Sequence, residues 1–425
     1  MTKSLRIAAV DLNGQLRGKR VPATMAQKEM RMPLSALNVD IFGSDIDGSP
    51  LVFESGDQDG IMASTNRDLI LLPWVSGDAY LDLRTMHHDN GDPFAGDPRL
   101  ALTNVLESFD ANGWQVIAGC ELEFFLLEDG GNLVPALNPK TGRRLSNTEV
   151  LSLRELDDFD KFFNDITQSA AKMGLGELSI ITEAGVGQFE VTMAHGPALH
   201  IADNVILLKE LIKGTARSHG MAATFMAKPF PSESGNGLHT HFSVLNKKNE
   251  NVFCDKNILQ AAVAGCLSSF SASTLFFAPY MNSYSRFVAD AHAPTSATWG
   301  WENRTVAIRI PRGAIHSTRI EHRVAGGDAN PYLLFAAIFG SALHGMKTNL
   351  HPPKPTKGNA YEKPNLASVL LKSLPEAING ISHPLIETLF AKSLLQNLVA
   401  TKTQEFKLFS QMSDHDVLQA LIDTA

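Results

Sequence analysis

Two glutamates stand two residues apart in the run GCELEFFLLE, Glu121 and Glu123. Side chains of an extended segment alternate between faces, so both carboxylates project to one side. Phe124, Phe125, Leu126 and Leu127 surround them, and such a run does not suit a freely hydrated face. Paired carboxylates in apolar company need a compensating cation, so metal ligation is favoured over a solvated strand face. Glu183 and Glu190 form a second pair in ITEAGVGQFEVTM, separated by Gly185 and Gly187, which permit a tight turn or a close approach to a ligand. His239 and His241 in GNGLHTHFSV share one side of a short strand after a glycine-rich loop, a spacing open to metal, phosphate or structural use. ENRTVAIRIPRGAIHSTRIEHRV sets Arg304, Arg309, Arg319 and Arg323 around Glu321, with Arg286 upstream in NSYSRF. A single arginine is most simply a surface ion pair. Four within twenty residues, in apolar β-like stretches, suit bidentate clamps on phosphate and carboxylate groups.

These side chains need a scaffold, and the length of 425 residues exceeds what one core usually serves, which predicts two unequal domains. Residues 1 to 95 alternate short β-rich runs (IAAV, NVDIFG, LVFE, DLILLPW) with Gly, Asp and Pro turns. A helix is predicted in DPFAGDPRLALTNVLESFDANGW, where Leu100, Val105, Leu106 and Phe109 recur at helical spacing, and the domain boundary falls just before it. Beyond it, the strand patterns VIAGCELEFFLLE, VGQFEVTM and THFSVL interleave with the helical patterns DKFFNDITQSAAKMG and ADNVILLKELIKGTARSHG, which describes an α+β body. The chain after Pro331 reads as mainly helical, interrupted by the Pro- and Lys-rich loop LHPPKPTKGNAYEKPN.

Hydrophobic residues at 44% and charged residues at 19% are ordinary for a globular protein, and a net charge of −8 disfavours nucleic acid as a partner. The opening MTKSLRIAAVDLNGQLRGKR lacks the apolar stretch of a secretory signal, and Cys120, Cys254 and Cys266 include no close pair. A cytoplasmic protein is expected. The charge-free stretch between Lys256 and Arg286 is long enough to span a membrane, but its serines, Pro279 and Asn282 predict a buried helix followed by an apolar strand or loop.

Taken in order and at these separations, GCELEF, GQFEV, GLHTHFS, NSYSRF, NRTVAIRIP and RIEHR resemble the glutamine synthetase family over nearly the whole chain, and DLNGQLRGKRVP resembles the opening of its β-grasp domain. The resemblance implies an α+β fold, with a small N-terminal β-grasp domain over residues 1–97 and a glutamine-synthetase-type catalytic α/β domain over residues 98–425. It implies ATP as cosubstrate and two or three Mg²⁺ or Mn²⁺ ions in a funnel of carboxylates. Glu123, Glu183 and Glu190 would hold the ion nearest the amino-acid substrate, and Glu121, His239 and Glu321 the ion that bridges ATP phosphates. His241 and Ser243 would contact the nucleotide, with Arg309 and Arg319 on its phosphates. Gly235 would approach the amino group of glutamate, Arg286 its α-carboxylate and Arg323 its γ-carboxylate, while Arg304 would stabilise the phosphoryl group in flight. Phosphoryl transfer asks a protein mainly to position groups and neutralise oxygen charge, which metals and arginines do. The family also implies stacked rings, usually dodecamers, with active sites shared across subunit boundaries.

The sequence departs from the ammonia-using members at the flap. Their glutamate in a segment like VPGYEAP corresponds to His292 in VADAHAP, which removes a fixed anion that would select a small cation. NVDIFGSDIDGSP, with Asp47-Gly48-Ser49, does not reproduce the loop whose aspartate completes the ammonium site, and Tyr361 in GNAYEKP is no match for the adenylylation tyrosine. These departures, with RGKRVP, resemble the γ-glutamylpolyamine and γ-glutamylamine synthetase branch. The expected reaction is ligation of glutamate to an organic amine, with His292 as base toward it. The alternatives are an ammonia-using glutamine synthetase and a non-catalytic structural relative.

Overall fold

The computed structural model describes residues 4–26, 28–130, 133–288, 293–362, 364, 368–422 and 424. Its architecture is built on two sheets. The first contains six strands from the N-terminal part of the chain. Ser4–Val10 and Leu16–Pro22 form a hairpin, and Ser4–Val10 pairs in parallel with the last strand of the unit, Ala79–His87. Asp59–Ser64 and Arg31–Pro33 continue the sheet beyond Ala79–His87.

Two of the predicted β runs take other forms. NVDIFG is a turn with only an isolated bridge from Val39 to Asp45, because the Asp40 carboxylate accepts from Phe42 N and Ser44 N and holds the backbone in a local loop. LVFE lies in the short helix Pro50–Glu54, where Pro50 opens the turn and Ser49 caps it by accepting from Leu51 N.

The second sheet has nine strands and positions the chemistry. From one edge to the other its main path runs Trp299–Trp301, Ile308–Ile310, Ile320–His322, Leu238–Asn246, Trp114–Glu128, Gln188–Met193 and Leu178–Thr182. Trp114–Glu128 is its spine, also pairing with Gly196–Pro197 and Met221–Thr224. Along that spine Cys120, Leu122, Phe124 and Leu126 enter the main hydrophobic core, where Phe124 meets Phe189 and Phe225. Residues of the helices Pro98–Asp110, Ala198–Ser218 and Pro331–Thr348 share that core. Alternation then sends Glu121 and Glu123 to the opposite face.

Pro98–Asp110 starts where the spacing predicted, with Asp97 accepting from Arg99 N and Leu100 N and Pro98 in its first turn. The charge-free stretch from Lys256 to Arg286 breaks into the helix Lys256–Ser268 and the short turns Thr274–Phe277 and Met281–Arg286. No described helix is long and apolar enough to cross a membrane. Within residues 351–362 there is neither helix nor strand, as expected of the Pro-rich segment.

One local conflict yields a stability prediction. Glu155, in the first turn of Leu153–Asp158, is only 6% exposed, and burial followed by repulsion from Glu149 and Asp158 pushes its carboxyl up to about 7. Because this value lies above that of the unfolded chain, stability is intact below about pH 4.5 and falls as the pH rises through 7. Glu155→Gln is expected to melt like the parent at pH 4 and to be more stable at pH 8 by on the order of 1–3 kcal/mol. Paired denaturant titrations at the two pH values check this; a gain of equal size at both would refute the electrostatic cause.

Candidate active site

Register across the second sheet assembles the site. Directly opposed residues of an antiparallel pair share a face. His239 lies opposite Glu121, Glu190 opposite Glu123, and Glu321 opposite both His241 and Arg309. Five strands therefore deliver Glu190, Glu123, Glu121, His239, His241, Glu321 and Arg309 to one face, and period two adds Ser243. Glu183 follows the strand Leu178–Thr182, its N–H donating to Gln188 O at 2.9 Å across the turn that contains Gly185 and Gly187.

Among the described residues, two groups have ligand atoms mutually within 4.8 Å: Glu121, His239 and Glu321, and Glu123, Glu190 and His239. The first is the set expected for one ion. The second contains two of the three residues expected for the other, with His239 in the place of Glu183. His239 Nδ1 donates to Glu121 at 2.9 Å, while its Nε2 lies 3.9 Å from Glu123. His241 Nε2 donates to Glu121 at 3.0 Å, and its Nδ1 accepts from Arg319 Nε at 3.4 Å. Burial works against the Glu121 charge, but bonds from the two imidazoles prevail and hold its carboxyl below the usual range.

Glu183 and Glu190 lack such imidazole support. Burial, then repulsion from Glu123 and Glu121, raises Glu183 to about 7 despite the opposing charge of Arg304. Burial and the same two neighbours, with Glu183 itself, push Glu190 up to about 9. Crowded carboxylates short of positive charge, all hard oxygen donors, fit a divalent cation such as Mg²⁺ or Mn²⁺.

The arginines divide by burial. Glu321, with 0% exposure, accepts from Arg309 Nη1 at 2.7 Å and from Arg323. The Nε atoms of Arg309 and Arg323 are buried and make no hydrogen bond, so both guanidiniums keep donor capacity for an anion. Arg286 is buried at 4% exposure, where Nη1 donates to Val324 O at 2.6 Å. The turn that carries it is clasped by Asn282, which accepts from Lys228 N at 2.8 Å and donates to Lys228 O at 2.7 Å. Arg304 is exposed, on the wall of a surface cavity with Trp301 and Arg312. His292 lies outside the described residues.

Beside Glu121 opens a cleft of about 710 Å³, lined by His241, Ser243 and Arg319, three of the four residues expected to bind nucleotide. Arg309 does not line it; its guanidinium is bonded to Glu321 instead. His195 and His316 also line the cleft. Neither carries a signal of its own in the sequence: His195 is a lone histidine, and His316 is masked by the arginines around it. Glu302 and Gln188 were missed although both sit inside recognised motifs: the Glu302 carboxylate accepts from Arg309 Nη2 at 3.4 Å, and Gln188 belongs to GQFEV.

Gly235 leaves little room. A Cβ there would stand 2.5 Å from Ala227 O and 2.8 Å from Arg286 Cγ. Given the glutamate-binding role that the resemblance implies for this loop, Gly235→Ala is expected to displace Arg286 and raise the KM for glutamate about 10-fold or more, with the melting temperature lowered by a few degrees. Steady-state kinetics in glutamate and in ATP check it; an unchanged glutamate KM would show that the guanidinium tolerates the shift.

Comparison with known proteins agrees with this geometry. The chain is 35% identical over 380 residues to γ-glutamylputrescine synthetase PuuA of Escherichia coli (strain K12), covering 86% of this chain and 80% of that protein. It is 30% identical over 424 residues to glutamate–isopropylamine ligase of a Pseudomonas species, covering 95% and 91%. The solved structure of GmaS in complex with ADP superposes with a TM-score of 0.83 at 26% identity, over 97% of this chain and 95% of that one. The family model for the glutamine synthetase catalytic domain matches residues 95–419, and the chain belongs to the glutamine synthetase family.

Proposed function

We propose that the protein is an ATP-dependent ligase joining the γ-carboxyl of glutamate to an organic amine, a polyamine or an alkylamine. The observation that carries this reading is the single-faced array of carboxylates, imidazoles and arginines beside a nucleotide-sized cleft. The two amine ligases among the relatives, and a similar fold in a protein that binds ADP, support it.

Glu123, Glu183 and Glu190 would hold one divalent ion and Glu121, His239 and Glu321 another, Mg²⁺ or Mn²⁺; bound cations neutralise phosphate charge and orient the oxygens that react. His241, Ser243, Arg309 and Arg319 bind ATP. Gly235, Arg286 and Arg323 hold glutamate with its γ-carboxylate toward the terminal phosphate. A γ-carboxylate oxygen attacks the γ-phosphorus, the bond to ADP breaks, and Arg304 offsets charge on the transferring group. The amine nitrogen then attacks the acyl carbon of γ-glutamyl phosphate, phosphate departs, and His292 takes the amine proton.

The proposal includes a domain boundary near residue 97 and assembly into stacked rings, with a dodecamer as the expected state. Free thiols at Cys120, Cys254 and Cys266 support a cytoplasmic location, where ATP and glutamate are available.

The test is phosphate release with Mg²⁺, ATP and glutamate against ammonium, methylamine, ethanolamine, putrescine and spermidine, with product masses recorded. A γ-glutamyl adduct of one organic amine is expected. Activity with ammonium alone would replace this reading by glutamine synthesis, and silence with every amine would favour a non-catalytic role.

A further inference from the structure

Gln188, the first residue of the strand Gln188–Met193, is 1% exposed and faces the glycine loop. Its Nε2 donates to Gly235 O at 3.1 Å and to Asn236 Oδ1 at 3.0 Å, with Glu123 Oε2 at 3.4 Å. Its Oε1 accepts from Gly185 N at 2.9 Å, inside the turn that leads from Glu183 to Glu190. The amide orientation follows from the partners. Asn236 Nδ2 donates to Met226 O at 2.9 Å and Thr224 O at 3.3 Å, so Asn236 must turn its oxygen toward Gln188, and only an N–H can meet it. Gly237 N donates to Glu123 Oε2 at 2.7 Å and closes the circuit. One side chain thus spans the turn after Glu183, the carboxylate of Glu123 and the carbonyl of Gly235.

We infer that Gln188 is a positioning residue for the acyl donor, fixing where the Gly235 carbonyl stands relative to Glu123 so that the substrate's ammonium group meets an oriented acceptor. The inference rests on the proposed glutamate-binding role of the 235–237 loop. A carbonyl oxygen has two lone pairs; Gln188 engages it with one N–H, orienting it while leaving capacity for a second donor. Both amide hydrogens and the amide oxygen have buried partners, so no other residue type of this size satisfies all three positions. Glutamate here would set a carboxylate against the oxygens of Gly235, Asn236 and Glu123. Methionine would match the volume and donate nothing.

The experiment compares the full-length parent with Gln188→Met, Asn236→Ala and the double variant. Glutamate and Mg²⁺–ADP affinities are measured by calorimetry, and KM for glutamate and for ATP by phosphate release. Loss of two neutral hydrogen bonds to the loop predicts glutamate Kd and KM raised about 10- to 30-fold in Gln188→Met, with the ADP and ATP constants within about twofold. The double variant is expected to be no worse than the poorer single one, since both act through one loop. If Gln188→Met is not recovered folded, Gln188→Asn, which keeps the amide but withdraws it by one methylene, carries the same expected selectivity. Unchanged glutamate constants, or glutamate and nucleotide constants that worsen together, would overturn the inference and leave the ligase reading standing. A parent that binds Mg²⁺–ADP but not glutamate would overturn the acyl-donor reading and this inference with it.

Discussion

Arg286→Lys is expected to raise the KM for glutamate by about two orders of magnitude while the KM for ATP changes less than about threefold. The side chain is enclosed: one nitrogen is committed to Val324 O, the stem lies against Gly235 and the fork against Gly237, where added Cβ atoms would come within 2.8 Å of Arg286 Cγ and 2.9 Å of its Nη2. Burial works against its charge, first by desolvation, while Glu123 and Asp328 favour it. A buried cation with unspent donors is costly unless an anion completes it, and the α-carboxylate of glutamate would do so. Lysine has neither the planar fork nor the reach to satisfy Val324 and a carboxylate together. The check is the ratio of the two KM values with the melting curve alongside. A lysine variant with normal glutamate KM and reduced turnover would move Arg286 from substrate binding to the transfer step.

Stripping divalent cations is expected to lower phosphate release at least about 10³-fold, and restoring Mg²⁺ at about 100 times its dissociation constant should add about 2.7 kcal/mol of stability. The reason is the charge balance of the face. Glu190, at about 9, and Glu183, at about 7, retain protons because burial and neighbouring carboxylates oppose their ionisation. Ligation requires the ionised form, so binding displaces protons, and apparent affinity should climb as the pH rises from about 6 to about 9. Without cations, the same raised carboxyls remove stability as the pH passes through 7 and then 9, because the unfolded chain ionises them more readily. Calorimetry of Mg²⁺ binding in buffers of different ionisation enthalpy measures the proton count directly. Affinity independent of pH, or activity that survives chelation, would rule out this account of the carboxylate cluster.

Much of this site was legible because it lies along single strands. That Glu121 and Glu123 face one way, and His239 with His241, follows from the two-residue period of extended chain and needs no knowledge of neighbours. Apolar spacing likewise located the helices at Pro98–Asp110, Asp160–Met173 and Ala198–Ser218, where core-facing positions agree with the pattern and Asp97 and Gly174 cap the first two. Local chemistry misled where a side chain bonded its own backbone. Asp40 and Ser49 turned the apolar runs NVDIFG and LVFE away from strand, and a hydrophobicity pattern does not register such bonds.

What the sequence by itself determined was which residue types share a face within each strand, and the ordered motifs that placed the chain in its family. The tertiary structure alone decided which strands lie side by side. Opposing His239 to Glu121, Glu190 to Glu123 and Glu321 to Arg309 depends on register between residues as much as 118 positions apart. It alone decided that His239 stands in both ligand groups, and that Gln188, an unremarkable amide in a strand pattern, joins a turn, a metal-ligand candidate and a glycine loop. The physical reason is that strand alternation is a property of one backbone, whereas register is settled by the packing of the whole core beneath the sheet.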